Sequence, residues 1–62
     1  MKEKAFVQMC NARYMTATID GVHLNTKLEE KKIKELFRYE KIISDERKEE
    51  GGKHYRNVEF GK

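Results

Sequence analysis

The sequence predicts an α+β domain in which one amphipathic helix packs on a three-stranded antiparallel β-meander, with residues 54–60 as a fourth strand or an ordered tail. Three observations lead to this prediction. Apolar and polar residues alternate over 4–24, which is typical of half-buried strands. Apolar residues at helical spacing follow over 27–44. Two glycines then close a charged segment, 45–53, before a second alternating run begins.

The meander is predicted from its two turns. Asp20-Gly21 tolerates positive φ and indicates a two-residue hairpin that sets Ile19 opposite Val22. With a three-residue loop at 11–13, the first hairpin has only apolar pairs on one face. These pairs are Ala5 with Ile19, Val7 with Ala17, and Met9 with Met15. A loop one residue shorter mixes apolar with polar positions, so we favour the three-residue loop.

The helix is predicted over 27–44. Thr26, followed three residues later by Glu29, forms a capping box in which each side chain accepts a hydrogen bond from a backbone N–H of the other. Apolar residues between Leu28 and Ile43 centre on one side and would cover the sheet. Five cations lie on the opposite side within roughly 80° of arc, at about 100° per residue. This basic stripe consists of Lys27, Lys31, Lys34, Arg38 and Lys41.

Beyond the helix the prediction is a solvated segment and then a strand. Residues 45–53 carry only charged side chains and two glycines, so we expect the helix to fray there. The run 54–60 alternates again, with Val58 and Phe60 on one side. A right-handed crossover through the helix predicts that this strand lies beside the first strand and parallel to it.

Length and composition limit the class of protein. We expect one domain, 1–62, which buries only about 60% of the surface of its unfolded chain and would gain stability from a second copy or a partner. Cys10 is the only cysteine, which suits a reducing compartment, and no run approaches the ~20 apolar residues of a membrane span. We therefore expect a cytoplasmic protein without cofactor or metal.

The basic stripe leads to the first functional hypothesis. Its ordinary interpretation is a solvated helix face, but stacked cations repel one another and a polyanion relieves that repulsion. A basic and aromatic cluster after the glycines would be a second contact. It consists of Lys53, Tyr55 and Arg56. The sequence thus favours a small non-catalytic protein that binds DNA or RNA through phosphates.

The predicted sheet face away from the helix leads to a competing hypothesis. The residues expected there include two aromatic side chains and a thiol, which are poorly suited to exposure to solvent. They are Phe6, Cys10, Tyr14 and His23. Such a face is an ordinary exterior, a homodimer interface, a platform for nucleic acid, or the site at which an interaction module or small inhibitor binds a partner protein. An edge strand added to a partner sheet would serve the last role. The small size and the Lys/Glu-rich, proline-free composition would suit an accessory protein of a phage or other mobile element.

Catalysis is not expected. Cys10 and His23 are the only tempting pair of reactive side chains, yet the predicted register places them about four residues, or ~13 Å, apart along the strands. The same separation argues against a shared metal ion. We therefore expect neither an enzyme nor a metalloprotein.

Overall fold

The computed structural model describes residues 4–61 and shows one five-stranded antiparallel sheet with a single short helix on one face. The elements are β1 Lys4–Cys10, β2 Arg13–Ile19, β3 Val22–Leu24, α1 Glu30–Tyr39, β4 Lys41–Glu50 and β5 Lys53–Gly61. Strands make up 62% of the described chain. The predicted α+β fold, a three-stranded meander under a long helix, is therefore wrong. The strand order is β3-β2-β1-β5-β4, which makes β1 the central strand.

The hairpin between β2 and β3 has the register expected from its Asp-Gly turn. Ile19 lies opposite Val22, and Asp20 and Gly21 both have positive φ, at 49° and 81°. This combination belongs to a type I′ turn, whose twist matches that of the flanking strands. The turn is also tied to the central strand, because the Asp20 N–H donates to the Lys4 carbonyl oxygen at 2.9 Å.

The hairpin between β1 and β2 differs from the prediction near its turn. The pairs of Ala5 with Ile19 and of Val7 with Ala17 are as expected. The loop, however, has two residues, 11–12, and a β-bulge inserts one extra residue into β2. Met9 consequently lies opposite Tyr14 instead of Met15. Without a bulge, a two-residue turn would set apolar residues opposite polar ones. The extra residue of the bulge restores the apolar pairs farther along the two strands.

The helix begins later than predicted, at Glu30. The side-chain oxygen of Asn25 accepts a hydrogen bond from the Lys27 N–H at 3.1 Å, and its carbonyl oxygen accepts from Leu28 and Glu29. The Asn25 side chain thus forms an Asx turn, and its backbone carbonyl takes the Glu29 N–H, which the capping box would have bonded to Thr26. The predicted cap at Thr26 is wrong, since the N-cap is Glu29 and it makes no side-chain capping hydrogen bond.

The helix also ends earlier, at Tyr39, and the chain enters β4 at once. Glu40 is already extended, with ψ at 146°. The segment 45–53, predicted as a fraying helix, instead continues β4 and turns at Gly51-Gly52, where φ is 58° and 76°. Two glycines with positive φ form the same kind of hairpin turn as Asp-Gly, so they end a strand here instead of a helix.

The predicted C-terminal strand is present as β5, beside β1 as expected. It runs antiparallel to β1, however, and the predicted parallel pairing is wrong. The physical reason is β4, which adds one more reversal of chain direction between the helix and β5. Val58 faces Val7, and Phe60 faces Ala5, across the pair of strands.

The core lies between α1 and the middle of the sheet. Its buried residues come from three strands and the helix, and they are Ala5, Val7, Ala17, Ile19, Ile33, Leu36, Val58 and Phe60. Phe37 packs its ring edge-on against Phe60, with ring centroids 4.9 Å apart. Leu28 and Tyr39, predicted to belong to the apolar side of the helix, are 83% and 76% exposed because they lie outside or at the end of α1.

Candidate nucleic-acid interface and the open sheet face

Three cations of the basic stripe lie together on the outer side of α1. Lys31, Lys34 and Arg38 are all exposed, and their spacing places them opposite the buried Ile33 and Leu36. None of them contributes to the core, so their charges are accessible to a ligand. Lys32 adds a fourth exposed cation to the same helix.

Two of these helix cations have neighbours that reduce their freedom. The Lys34 ammonium lies 3.2 Å from the Glu30 carboxylate, one helical turn earlier. The Arg38 guanidinium lies 5.5 Å from the centre of the Tyr39 ring. Exposed contacts of this kind are weak, worth a few tenths of a kcal/mol, so a phosphate can displace them.

The other two residues of the stripe are not on the helix. Lys27 lies in the turn that precedes α1, where it is exposed. Lys41 belongs to β4 opposite Gly61, which in turn lies opposite Lys4. Because side chains alternate across a strand, this position places Lys41 on the side of the sheet away from α1. The helix stripe is therefore shorter than predicted.

The cluster Lys53, Tyr55 and Arg56 is divided between the two sides of the sheet. Lys53 and Tyr55 alternate with Arg56 along β5, so Arg56 points to the helix side. There its guanidinium donates two hydrogen bonds to Asp45, at 2.8 and 2.7 Å, and lies 5.3 Å from the centre of the Phe37 ring. Arg56 is thus committed to an internal ion pair.

The ion pair between Asp45 and Arg56 shifts the pKa values of both residues. The side-chain hydrogen bond from Arg56 holds the pKa of Asp45 below its ordinary value, and the positive charges of Arg56 and Arg47 add to the effect. The same hydrogen bond raises the pKa of Arg56. Asp45 is therefore ionised throughout the neutral range, and Arg56 stays paired with it.

The opposite side of the sheet, which we call the open sheet face, is covered by no element within residues 4–61. Its side chains fall into rows that run across the strands, and three of these rows span four strands or more. The first row is Arg13, Cys10, Tyr55 and Lys48; the second is Thr16, Gln8, Asn57 and Glu46; the third is His23, Thr18, Phe6, Glu59 and Ser44. Aromatic groups thus occupy the first and third rows.

The open sheet face has a different membership from the one predicted. Phe6, Cys10 and His23 share it, as the register required, with Phe6 39% exposed. Tyr14 does not, because the bulge in β2 turns it to the helix side, where it packs against the core. Met15, the inserted residue, is 54% exposed and borders the open sheet face beside Gln8, Tyr55 and Asn57. Sequence reasoning missed this exchange because no dipeptide marks a bulge.

Polar contacts tie the open sheet face together laterally. The Thr16 hydroxyl donates to the Gln8 side-chain oxygen at 2.9 Å, and Thr18 and His23 are hydrogen-bonded at 3.1 Å. At one end, Lys4 and Glu59 form an ion pair at 3.3 Å. These contacts link neighbouring strands across the face.

A shallow groove of about 500 Å³ lies on the helix side, at the end of the sheet where the β1–β2 and β4–β5 turns lie. It is lined by Met9, Ala12, Arg47, His54 and Arg56, among others. His54 and Glu49 approach to 3.9 Å at its rim, and both are largely exposed. The groove is open to solvent.

The reactive side chains of the chain lie apart. Cys10 lies in the first row and His23 in the third, two strands away. Between Lys4 and Gly61 no three His, Cys, Asp or Glu side chains come close enough to hold a metal ion. Cys10 and His23 are therefore not placed to act together as a nucleophile and its base.

Two further findings concern the chain as a whole. Over the described residues, the one helix is neither long enough nor apolar enough to cross a bilayer. Comparison with known protein families, curated proteins and solved structures finds no match to this chain.

Proposed function

We propose that this protein binds nucleic acid without catalysing a reaction on it, and that it contacts phosphates through the outer face of α1. One observation carries the proposal. Lys31, Lys34 and Arg38 are exposed on the side of the helix away from the core, where they can reach a ligand without disturbing the fold.

The electrostatics of α1 support this assignment. The helix carries four cations, Lys31, Lys32, Lys34 and Arg38, against two anions, Glu30 and Glu35. Phosphate contacts by lysine and arginine release counterions from the nucleic acid, so even a few such contacts give measurable, salt-dependent binding. Arg56, by contrast, is paired with Asp45 and is not part of the proposed nucleic-acid interface.

Fluorescence anisotropy with labelled duplex DNA and RNA at several salt concentrations tests the proposal. Three phosphate contacts predict a log–log slope of binding constant against salt of about −3 on duplex DNA. The double variant Lys31→Glu with Arg38→Glu should bind at least tenfold more weakly and show a shallower slope.

The matched control is Arg47→Glu with Lys48→Glu. It makes the same change in charge at two exposed residues of the β4–β5 hairpin, far from the helix stripe. A general loss of positive charge would weaken both double variants equally. Equal weakening, or no binding by the unaltered protein at low salt, contradicts the proposed role of α1.

A second candidate function, a protein-interaction module, is favoured by the open sheet face. Phe6 and Met15 stay exposed there although the fold has a buried core available. Exposed apolar groups on a preformed sheet are typical of an interface. Phe6→Ala should then release a protein partner, whereas Tyr14→Ala, on the other side of the sheet, should retain it.

A further inference from the structure

We propose that a second copy of this chain covers the open sheet face, in a two-fold dimer in which β1 packs over β1 of the partner. This inference goes beyond the proposed function and does not depend on it. It assigns the open sheet face to self-association and leaves the outer face of α1 free.

The size of the face fits a dimer. The molecule measures 38 × 25 × 20 Å, so its broad side presents at most roughly 950 Å², enough for the ~800 Å² per partner of a standard interface. The shortest dimension, 20 Å, is the combined thickness of the sheet and the helix packed on it. A chain of 62 residues has a small core, so burying Phe6, Cys10 and Met15 would add to its stability.

The charges of the face favour a second copy over a polyanion. The two rows at its centre carry the carboxylates Glu46 and Glu59 and no lysine or arginine. The cations lie at the two ends of the strands; they are Lys4, Lys41, Arg13, Lys48 and Lys53. A phosphate backbone crossing the centre would therefore meet the carboxylate of Glu46 and that of Glu59 with its ion-pair partner Lys4.

The strand order makes the face complementary to itself. β1 is the central strand. A two-fold axis that runs parallel to β1, midway between the two sheets, therefore places β2 over β5 of the partner subunit and β3 over β4 of the partner subunit. Sheets stacked in this way pack about 10 Å apart, with strands aligned within about 30°.

Within this arrangement the rows meet in favourable pairs. Phe6 lies over Phe6 of the partner subunit at the centre, and Arg13 lies over Tyr55 of the partner subunit, a cation–π geometry. Thr18 lies over Glu59 of the partner subunit and can donate a hydrogen bond to it. Lys4 approaches Lys4 of the partner subunit, but the ion pair between Lys4 and Glu59 within each chain offsets the repulsion between the two ammonium groups.

The outer edge of β4 is less suited than the open sheet face to binding a second copy. The outer edge of β4 is unpaired within the described chain, but residues 45–50 are all charged. Charged side chains on a long edge strand hinder pairing with another sheet. The other edge, β3, offers only 3 residues for pairing, so we favour face-to-face packing.

Sedimentation equilibrium at several protein concentrations tests the dimer. We expect a dimer for the unaltered protein and a monomer for Phe6→Glu, which places a charge at the centre of the interface. The matched control, Lys31→Glu, alters the outer face of α1 and should stay dimeric. Thr16→Arg, at an exposed position of the open sheet face, provides a second disruption if Phe6→Glu fails to fold.

Chemical cross-linking reports the orientation of the two copies. Cys10 is the only cysteine, and the proposed axis places it near Cys10 of the partner subunit. A short bis-maleimide should link two chains of the unaltered protein but not of Thr16→Arg. A monomer at every concentration, or a dimer that persists in both Phe6→Glu and Thr16→Arg, would overturn the proposal whatever the outcome for nucleic acid.

Discussion

At the scale of single residues, the role of a charged side chain depends on what its strand places beside it. Arg56 and Lys53 belong to one basic cluster in the sequence. In the structure Arg56 joins β5, β4 and α1 through Asp45 and Phe37, whereas Lys53 lies exposed beside the turn. An ion pair with two parallel hydrogen bonds is stronger than an ordinary surface pair.

Arg56→Lys should lower the free energy of unfolding by about 1 kcal/mol, because lysine keeps the charge but cannot make two parallel hydrogen bonds or stack on Phe37. Chemical denaturation followed by circular dichroism measures the change. Arg47→Lys is the matched control, since Arg47 lies opposite Arg56 on β4 and is exposed. If both variants lose the same stability, the contacts of Arg56 do not matter.

At the scale of elements, the first turn carries strain that the other two avoid. Asn11 and Ala12 have φ of 50° and 63°, although alanine disfavours the left-handed region. Asn11 is held there by its neighbours, because its backbone N–H donates to the His54 carbonyl oxygen at 2.7 Å and its side chain accepts from the His54 N–H at 2.9 Å. These bonds fix the turn against β5.

Ala12→Gly should therefore raise the free energy of unfolding by about 0.5–1 kcal/mol, the relief of left-handed strain less the entropy that glycine adds to the unfolded chain. Thermal denaturation should show a Tm higher by a few degrees. Gly52→Ala makes the reverse change at a φ of 76°, where an added Cβ meets no atom, and should lower the Tm. A lower Tm for Ala12→Gly would show that Ala12 is unstrained.

The elements also show how far the sequence predicts this fold. Alternating apolar residues identify β1, β2, β3 and β5, because their inner faces meet the core. In β4 the side chains of residues 45–50 are all charged, so no apolar period marks it; hydrogen bonds to β5 hold it. The signal that could have found it is Gly51-Gly52, a hairpin dipeptide between two extended runs.

The candidate surfaces were predictable to a similar degree. Lys31, Lys34 and Arg38 stay within the helix, so their common face follows from spacing alone. Tyr14 changed side because a bulge shifts the alternation by one residue, and Lys41 changed side because the helix ended before it. Both errors arise at element boundaries, where tertiary packing decides the backbone.

At the scale of the whole molecule, the sheet separates two surfaces of different chemistry. The outer face of α1 carries an excess of cations, and the open sheet face carries aromatic and hydrogen-bonding side chains around central carboxylates. A single ligand cannot reach both sides of a sheet that is backed by a helix. In the proposed dimer the open faces are buried and the two helices point outward in opposite directions.

The dimer should therefore bridge two separate duplexes instead of clamping one. A biotin-labelled duplex on beads should capture a second, fluorescent duplex in the presence of the unaltered protein. Excess protein should reduce the capture, because each duplex then binds its own dimer. Phe6→Glu should bind a single duplex yet fail to bridge two, since its helices act alone. Bridging by a monomeric Phe6→Glu, or none by a dimer that binds DNA, would contradict this arrangement of helices.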